Sequence, residues 1–317
     1  MVSRRSLLGL LPAGLTLSRT AFAQQQSISI EEYEPKSSLV VPQTPRTRAR
    51  FPFIDIHNHQ PTFRGDDDLS KILKEMDALN MRVMVNLSGS YGDALKGVLK
   101  TYRTGPHKDR FAVFANFTFR DVDAPDYADR VAKQLEDDLK AGAQGLKIFK
   151  NFGMDLKDAK GQRVHVDDAR YDKAFQVLAK YNALFRRHKN VNFISAHLSW
   201  LGGDLGRLGK LMDEMPNMYA EIGAVLAELG RQPRFARQWF IRYQDRVLMG
   251  KDTWAPEEYA TYFRVLETSD EYFPYYRKRH AFWSMYGLDL PDEVLKKLYY
   301  KNALRLLKGI DPSGFPK

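Results

Sequence analysis

From residue 51 onward the chain alternates short apolar runs with amphipathic stretches. Runs that are apolar on both faces predict buried strands, and stretches with one apolar face predict helices. Strands are expected at Phe53–His57, Arg82–Leu87, Phe111–Phe117, Gln144–Phe149, Val191–His197, Met218–Ile222 and Val247–Gly250. Helices are expected over Leu69–Leu79, Asp93–Tyr102, Tyr127–Ala141, Asp168–Tyr181, Gly206–Glu214, around Phe235–Tyr243 and over Pro291–Leu307. Strands that alternate with helices make a parallel sheet. Seven such units predict the α/β class, and a (β/α)8-type TIM barrel rather than an open sheet.

The spacing breaks once. Most strand starts lie 26–33 residues apart, but 47 residues separate the starts near 144 and 191. A loop over 151–167 and a helix over 168–181 leave only Asn182–Asn190. That is shorter than the ~10–12 residues a complete crossover needs. The barrel is therefore expected to be incomplete, with strand five missing. Its two unpaired edges are expected to favour association into a homo-oligomer.

Composition narrows the picture. Hydrophobic residues make up 44% and charged residues 28%, which suits a globular chain with a sizeable core. There is no cysteine, so disulfides, thiolate metal sites and cysteine nucleophiles are excluded. The net charge of +10 is spread among acids, which points to a solvated surface and no nucleic-acid partner. Residues 1–23 carry Arg4 and Arg5, a mildly apolar stretch from Leu7 to Leu17, and the small-x-small sequence Ala21-Phe22-Ala23. They are expected to be a signal peptide, and the Ser3–Leu8 run resembles a twin-arginine signal. An ordinary secretory signal with paired arginines is the alternative. Both make the mature chain periplasmic or secreted, with no membrane attachment after cleavage. Residues 24–50 read as an extended arm, and 51–317 as the barrel domain.

Chemistry-bearing residues cluster at predicted strand ends. His57 and His59 are two apart in Ile54-Asp55-Ile56-His57-Asn58-His59, so in a strand both rings project to one side. Neutral imidazoles so placed can hold zinc or another divalent transition metal. His197, Glu221, Asp252 and Lys147 lie in or at the ends of later strands, and a barrel brings strand ends to one rim. His107, His165, His188 and His280 sit in turns or charged runs and are expected at the surface.

With these residues in place the chain resembles the amidohydrolase superfamily, in its branch containing aminocarboxymuconate-semialdehyde decarboxylase. The likeness runs from about Phe53 to Leu307. It implies that His57, His59 and Asp252 ligate one divalent metal, usually zinc, with manganese the other candidate. It implies that His197 is a ligand or polarises substrate, and that Asp252 also takes a proton from the attacking water. Lys147 matches the place of a lysine that is carboxylated in two-metal relatives; one metal is expected here, so Lys147 is expected to contact substrate. Glu221 and Trp254 are further substrate-binding candidates. The family supplies another histidine from strand five, the strand expected to be missing.

The expected function is metal-dependent hydrolysis of an amide, ester or lactone bond in a small-molecule substrate. Non-oxidative decarboxylation on the same site is the alternative, as is a catalytically impaired barrel. The aromatic-rich segment from Trp254 to Tyr286 is expected to be either a cover over a ring-shaped substrate or a helical layer packed on the barrel.

Overall fold

The computed structural model describes residues 28–30, 32–33, 36–60, 65–149, 152, 154–165, 168–180, 192–277 and 280–317. The chain divides into two compact units, residues 1–38 and Leu39–Lys317. Of the first, the described Ile28, Ile30 and Tyr33 are exposed. The signal-peptide expectation for 1–23 and the nine residues Asn182–Asn190 lie outside the described residues.

The second unit is the α/β barrel. Strand β1 (Phe53–His59) is its centre and is buried from Phe53 to Asn58. Helix α1 (Asp66–Leu79) ends at Asn80, whose left-handed φ of 70° turns the chain directly into β2 (Met81–Asn86). Helix α2 (Gly92–Tyr102), β3 (Phe111–Val113), α3 (Tyr127–Ala141) and α4 (Asp172–Lys180) follow. The second half contains β4 (Phe193–Ser195), α5 (Leu205–Glu214), β5 (Met218–Glu221), α6 (Leu226–Arg231), α7 (Pro233–Arg242) and β6 (Val247–Leu248). It ends with β7 (Asp252–Thr253), α8 (Tyr259–Glu267), α9 (Asp292–Lys296) and α10 (Asn302–Leu306).

All ladders are parallel: β3-β2-β1-β7 form one sheet and β4-β5-β6 another. The Ile56 N–H donates to the Met249 carbonyl at 3.0 Å, which joins the two sheets beside β1. Strand four is reduced to a bridge between Leu146 and Ala115. Among the described residues no ladder joins the Leu146 run to β4, the place where strand five was expected to be missing.

The expected strand Gln144–Phe149 is thus corrected to a single bridge, and the expected Val191–His197 to three residues. The physical reason for the second is backbone conformation. His197, Leu198, Ser199 and Trp200 all take φ between 50° and 57°, which no strand can follow. The expected helix Asp168–Tyr181 is a 3₁₀ turn followed by α4, and α6 went unread.

Packing explains why β1 is fixed. Phe53 is fully buried, with Tyr259, Phe263 and Tyr299 ring centroids at 5.9, 5.5 and 5.9 Å. Each such aromatic pair adds about 0.5–1.5 kcal/mol beyond area burial. The carboxyl-terminal helices latch β6 and the Met249 that follows it. They are joined by a π turn over Lys297–Lys301, and the Leu298 carbonyl accepts the Met249 N–H at 2.9 Å. Asn302 Nδ2 donates to the Val247 carbonyl at 2.8 Å. The end of the expected arm also packs on this unit, with the Arg50 N–H on Glu267 Oε1 at 2.9 Å. Among the described residues no helix is long and apolar enough to cross a membrane.

Candidate metal centre

The carboxyl end of β1 carries His57 and His59 on one side, and β7 pairs with that same end, Asn58 opposite Asp252 and His59 opposite Thr253. Strand pairing therefore brings together residues almost two hundred positions apart. His57 Nε2 and His59 Nε2 are 3.3 Å apart, and Asp252 Oδ1 lies 3.4 and 3.5 Å from them. A tetrahedral ion with bonds of ~2.0–2.1 Å spaces its ligand atoms about 3.3–3.4 Å apart. The three atoms thus form one face of such a coordination sphere.

The remaining ring nitrogens are held from behind. His57 Nδ1 pairs with Glu221 Oε1 at 2.8 Å, and His59 Nδ1 with Ser88 Oγ at 2.8 Å. This leaves Nε2 of both rings facing the site, the arrangement that fixes ring orientation in metal-ligating histidines. Burial, and then the neighbouring His57, lower the His59 pKa to about 4, so the ring is neutral near pH 7 and able to ligate.

A second trio, His57, His197 and Glu221, also lies close together. It is a hydrogen-bonded support rather than a coordination sphere. At 2.8 Å, His57 and Glu221 are closer than two ligands of one tetrahedral ion, and Glu221 already accepts hydrogen bonds at both oxygens. It also accepts the His197 and Gly223 backbone N–H groups, each at 2.6 Å. Burial alone would push this carboxyl up. The His57 charge and hydrogen bond, with His197, outweigh burial and hold it near 2.

His197 sits in the left-handed turn rather than at a strand end, stacked on His57 at 4.8 Å. Each left-handed L-residue costs roughly 1–2 kcal/mol, so the turn is held by its surroundings. His197 Nδ1 bonds the Gly223 carbonyl at 2.8 Å, which puts a proton on Nδ1. The neutral ring then offers only a lone pair at Nε2, and it can polarise a carbonyl only as the imidazolium.

Lys147 Nζ approaches His57 Nε2 at 3.3 Å, and burial lowers its pKa against the pull of Glu221 and Asp252. Trp254 is not in this cluster; its indole N–H donates to Glu75 on α1 at 3.2 Å. The aromatic segment is mainly packing: Tyr259, Tyr262 and Phe263 are fully buried, and only Tyr259–Glu267 of its first half forms an α-helix. His107 is half-buried, with Nε2 on the Thr101 carbonyl at 3.1 Å, while His165 and His280 are exposed and His188 lies outside the described residues.

Sequence reasoning missed Ser88, although its place just past β2 on the same rim was a usable signal. It missed Asp55, whose carboxylate takes the His57 N–H at 2.9 Å and the Tyr259 hydroxyl. It missed the exposed rings beside the histidines, Phe149 against His59 at 5.9 Å and Trp200 against His197 at 4.7 Å.

Fold and site together define a barrel with a histidine–carboxylate centre at the carboxyl rim, the pattern of metal-dependent barrel enzymes. A sequence model described as amidohydrolase matches residues 54–309, and the chain belongs to the amidohydrolase family, whose members bind divalent metals. None of the curated proteins matches the chain. An uncharacterised TIM-barrel protein from Bordetella bronchiseptica shares the fold, with 14% identity, TM-score 0.51, and coverage of 81% of this chain and 98% of that one. An amidohydrolase from Burkholderia multivorans with bound HEPES is 16% identical, covering 80% of this chain and 98% of its own at TM-score 0.49. A 5-carboxyvanillate decarboxylase from Novosphingobium aromaticivorans, complexed with manganese and 4-hydroxy-3-methoxy-5-nitrobenzoic acid, is 11% identical, covering 84% and 99% at TM-score 0.48.

Proposed function

We propose that the protein is a hydrolase of an amide, ester or lactone bond, using one divalent metal, zinc, held by His57, His59 and Asp252. The observation that supports this is the triangle of ligand atoms with edges of 3.3, 3.4 and 3.5 Å. Zinc held there would supply Lewis acidity toward water and the substrate carbonyl. The rest falls to the protein. Asp252 would hold the metal through Oδ1, leaving its second oxygen to accept a proton from water. His197, as imidazolium, donates from Nε2 to the oxygen on which charge develops. Lys147, beside His57, adds positive charge toward an anionic substrate group.

The test is a panel of esters, lactones and amides with zinc-loaded protein, assayed in parallel with aromatic and enol carboxylic acids for carbon dioxide release. Hydrolysis that disappears in Asp252→Asn supports the reading. Carbon dioxide release without hydrolysis assigns the site to non-oxidative decarboxylation instead, and no turnover on either panel favours an impaired barrel.

We also propose that the chain is exported, on the strength of Arg4, Arg5 and Ala21-Phe22-Ala23. Amino-terminal sequencing of the secreted or periplasmic fraction is expected to read from Gln24, and Arg4→Lys with Arg5→Lys to block export by the twin-arginine route. An intact Met1 in the mature protein removes this proposal.

A further inference from the structure

Lys251 directly precedes Asp252, and its side chain is fully buried. Its ammonium donates to the Thr253 carbonyl at 2.9 Å, lies 3.3 Å from Thr253 Oγ1 and pairs with Glu258 Oε2. The rings of Tyr259 and Tyr276 stand 5.5 and 5.9 Å away. All these partners belong to the chain's own segment after β6.

The residue enclosed by these contacts is the unusual one. Asp252 takes φ of 90°, in the left-handed region that favours glycine. Its backbone is gripped on both sides. Behind it, the Lys251 N–H reaches Asp55 Oδ1 at 3.3 Å and the His57 carbonyl at 3.4 Å. Ahead of it, the Thr253 carbonyl is tied back to the Lys251 ammonium, so the lysine spans the aspartate from residue i to residue i+2. The aspartate so turned presents Oδ1 to both histidines.

We infer that Lys251 is a positioning residue: its buried ammonium, neutralised by Glu258, holds the Asp252 backbone in the left-handed turn that aims Oδ1 at His57 and His59. This rests on reading those three residues as the metal centre, and it adds a requirement that the ligands alone do not show. A glycine or small residue before the aspartate would leave the turn unsupported, so the pair Lys251–Glu258 sets how firmly the third ligand is presented.

Calorimetric titration of zinc chloride into the metal-free full-length protein tests this without reference to activity. Lys251→Met/Glu258→Gln removes the clamp without leaving an orphaned buried carboxylate, and is expected to bind zinc about 10–100-fold more weakly than wild type. Glu258→Gln alone, which keeps the lysine, is expected to show a smaller loss. In an Asp252→Asn background the double substitution should cause no further loss, because the clamp acts only through Asp252. Circular dichroism confirms that each variant is folded. Wild-type affinity in the folded double variant overturns the inference, as does an equal loss with and without Asp252. A wild-type chain that takes up no zinc overturns the metal-centre reading itself, which is a separate failure.

Discussion

Zinc titrated into the metal-free protein is expected to fill one site per chain, and His59→Ala is expected to weaken that site by more than about 100-fold. The expectation follows from geometry. Three ligand atoms and a water complete a tetrahedral catalytic site, so none of the three is spare. Loss of a supporting group behind a ligand costs about 10–100-fold, and loss of the ligand itself must exceed that. Asp252→Asn is expected to behave similarly, since an amide replaces the anionic donor. His197→Ala should leave most of the affinity, because its ring is tied to Gly223 by Nδ1 and stacks on His57 instead of completing the triangle. Equal zinc binding by wild type and His59→Ala removes both histidines from the ligand set and with them the metallo-hydrolase assignment.

Glu221→Ala is expected to be the most destabilising change at the site, by about 3–5 kcal/mol in denaturant unfolding of the metal-free protein. The carboxylate is buried and receives His57 Nδ1–H and two backbone N–H groups, and alanine orphans all three donors. The pH dependence carries the same signature. Glu221 has a folded value of about 2 against an ordinary 4.5, so its contribution is present above 4.5 and lost as pH falls toward 2. In Glu221→Ala that part of the acid slope should vanish. If the variant unfolds at the wild-type denaturant midpoint, the carboxylate is not the support described.

How much of this was legible in the sequence depended on the range of the interactions involved. Alternating apolar and amphipathic runs marked the order of strands and helices because burial imposes those periods locally. His57 and His59 were legible because strand geometry alone places them on one side. Asp252 was placed by the rim argument together with the family resemblance. Strand lengths were not legible at His197: a run of left-handed residues is set by what Glu221 and Gly223 hold, not by the apolar run Val191-Asn192-Phe193-Ile194. Lys251 was hidden for a different reason. A lysine beside an aspartate reads as a solvated pair, and only the fold shows its ammonium enclosed by Glu258 and two tyrosines. Trp254, an aromatic next to the site in sequence, is turned toward Glu75 by a hydrogen bond that no local pattern announces.

The latch on β6 also sets an order of assembly during synthesis. His57 and His59 leave the ribosome early, and Asp252 much later, but the run that leads to Asp252 is anchored by Leu298 and Asn302 near the end of the chain. A nascent or truncated chain ending before Leu298 therefore contains all three ligands yet lacks the backbone partner of Met249, which leads into the third. Completion of the centre waits for the last helix, so metal retention reports whether the chain has been finished and folded to its end.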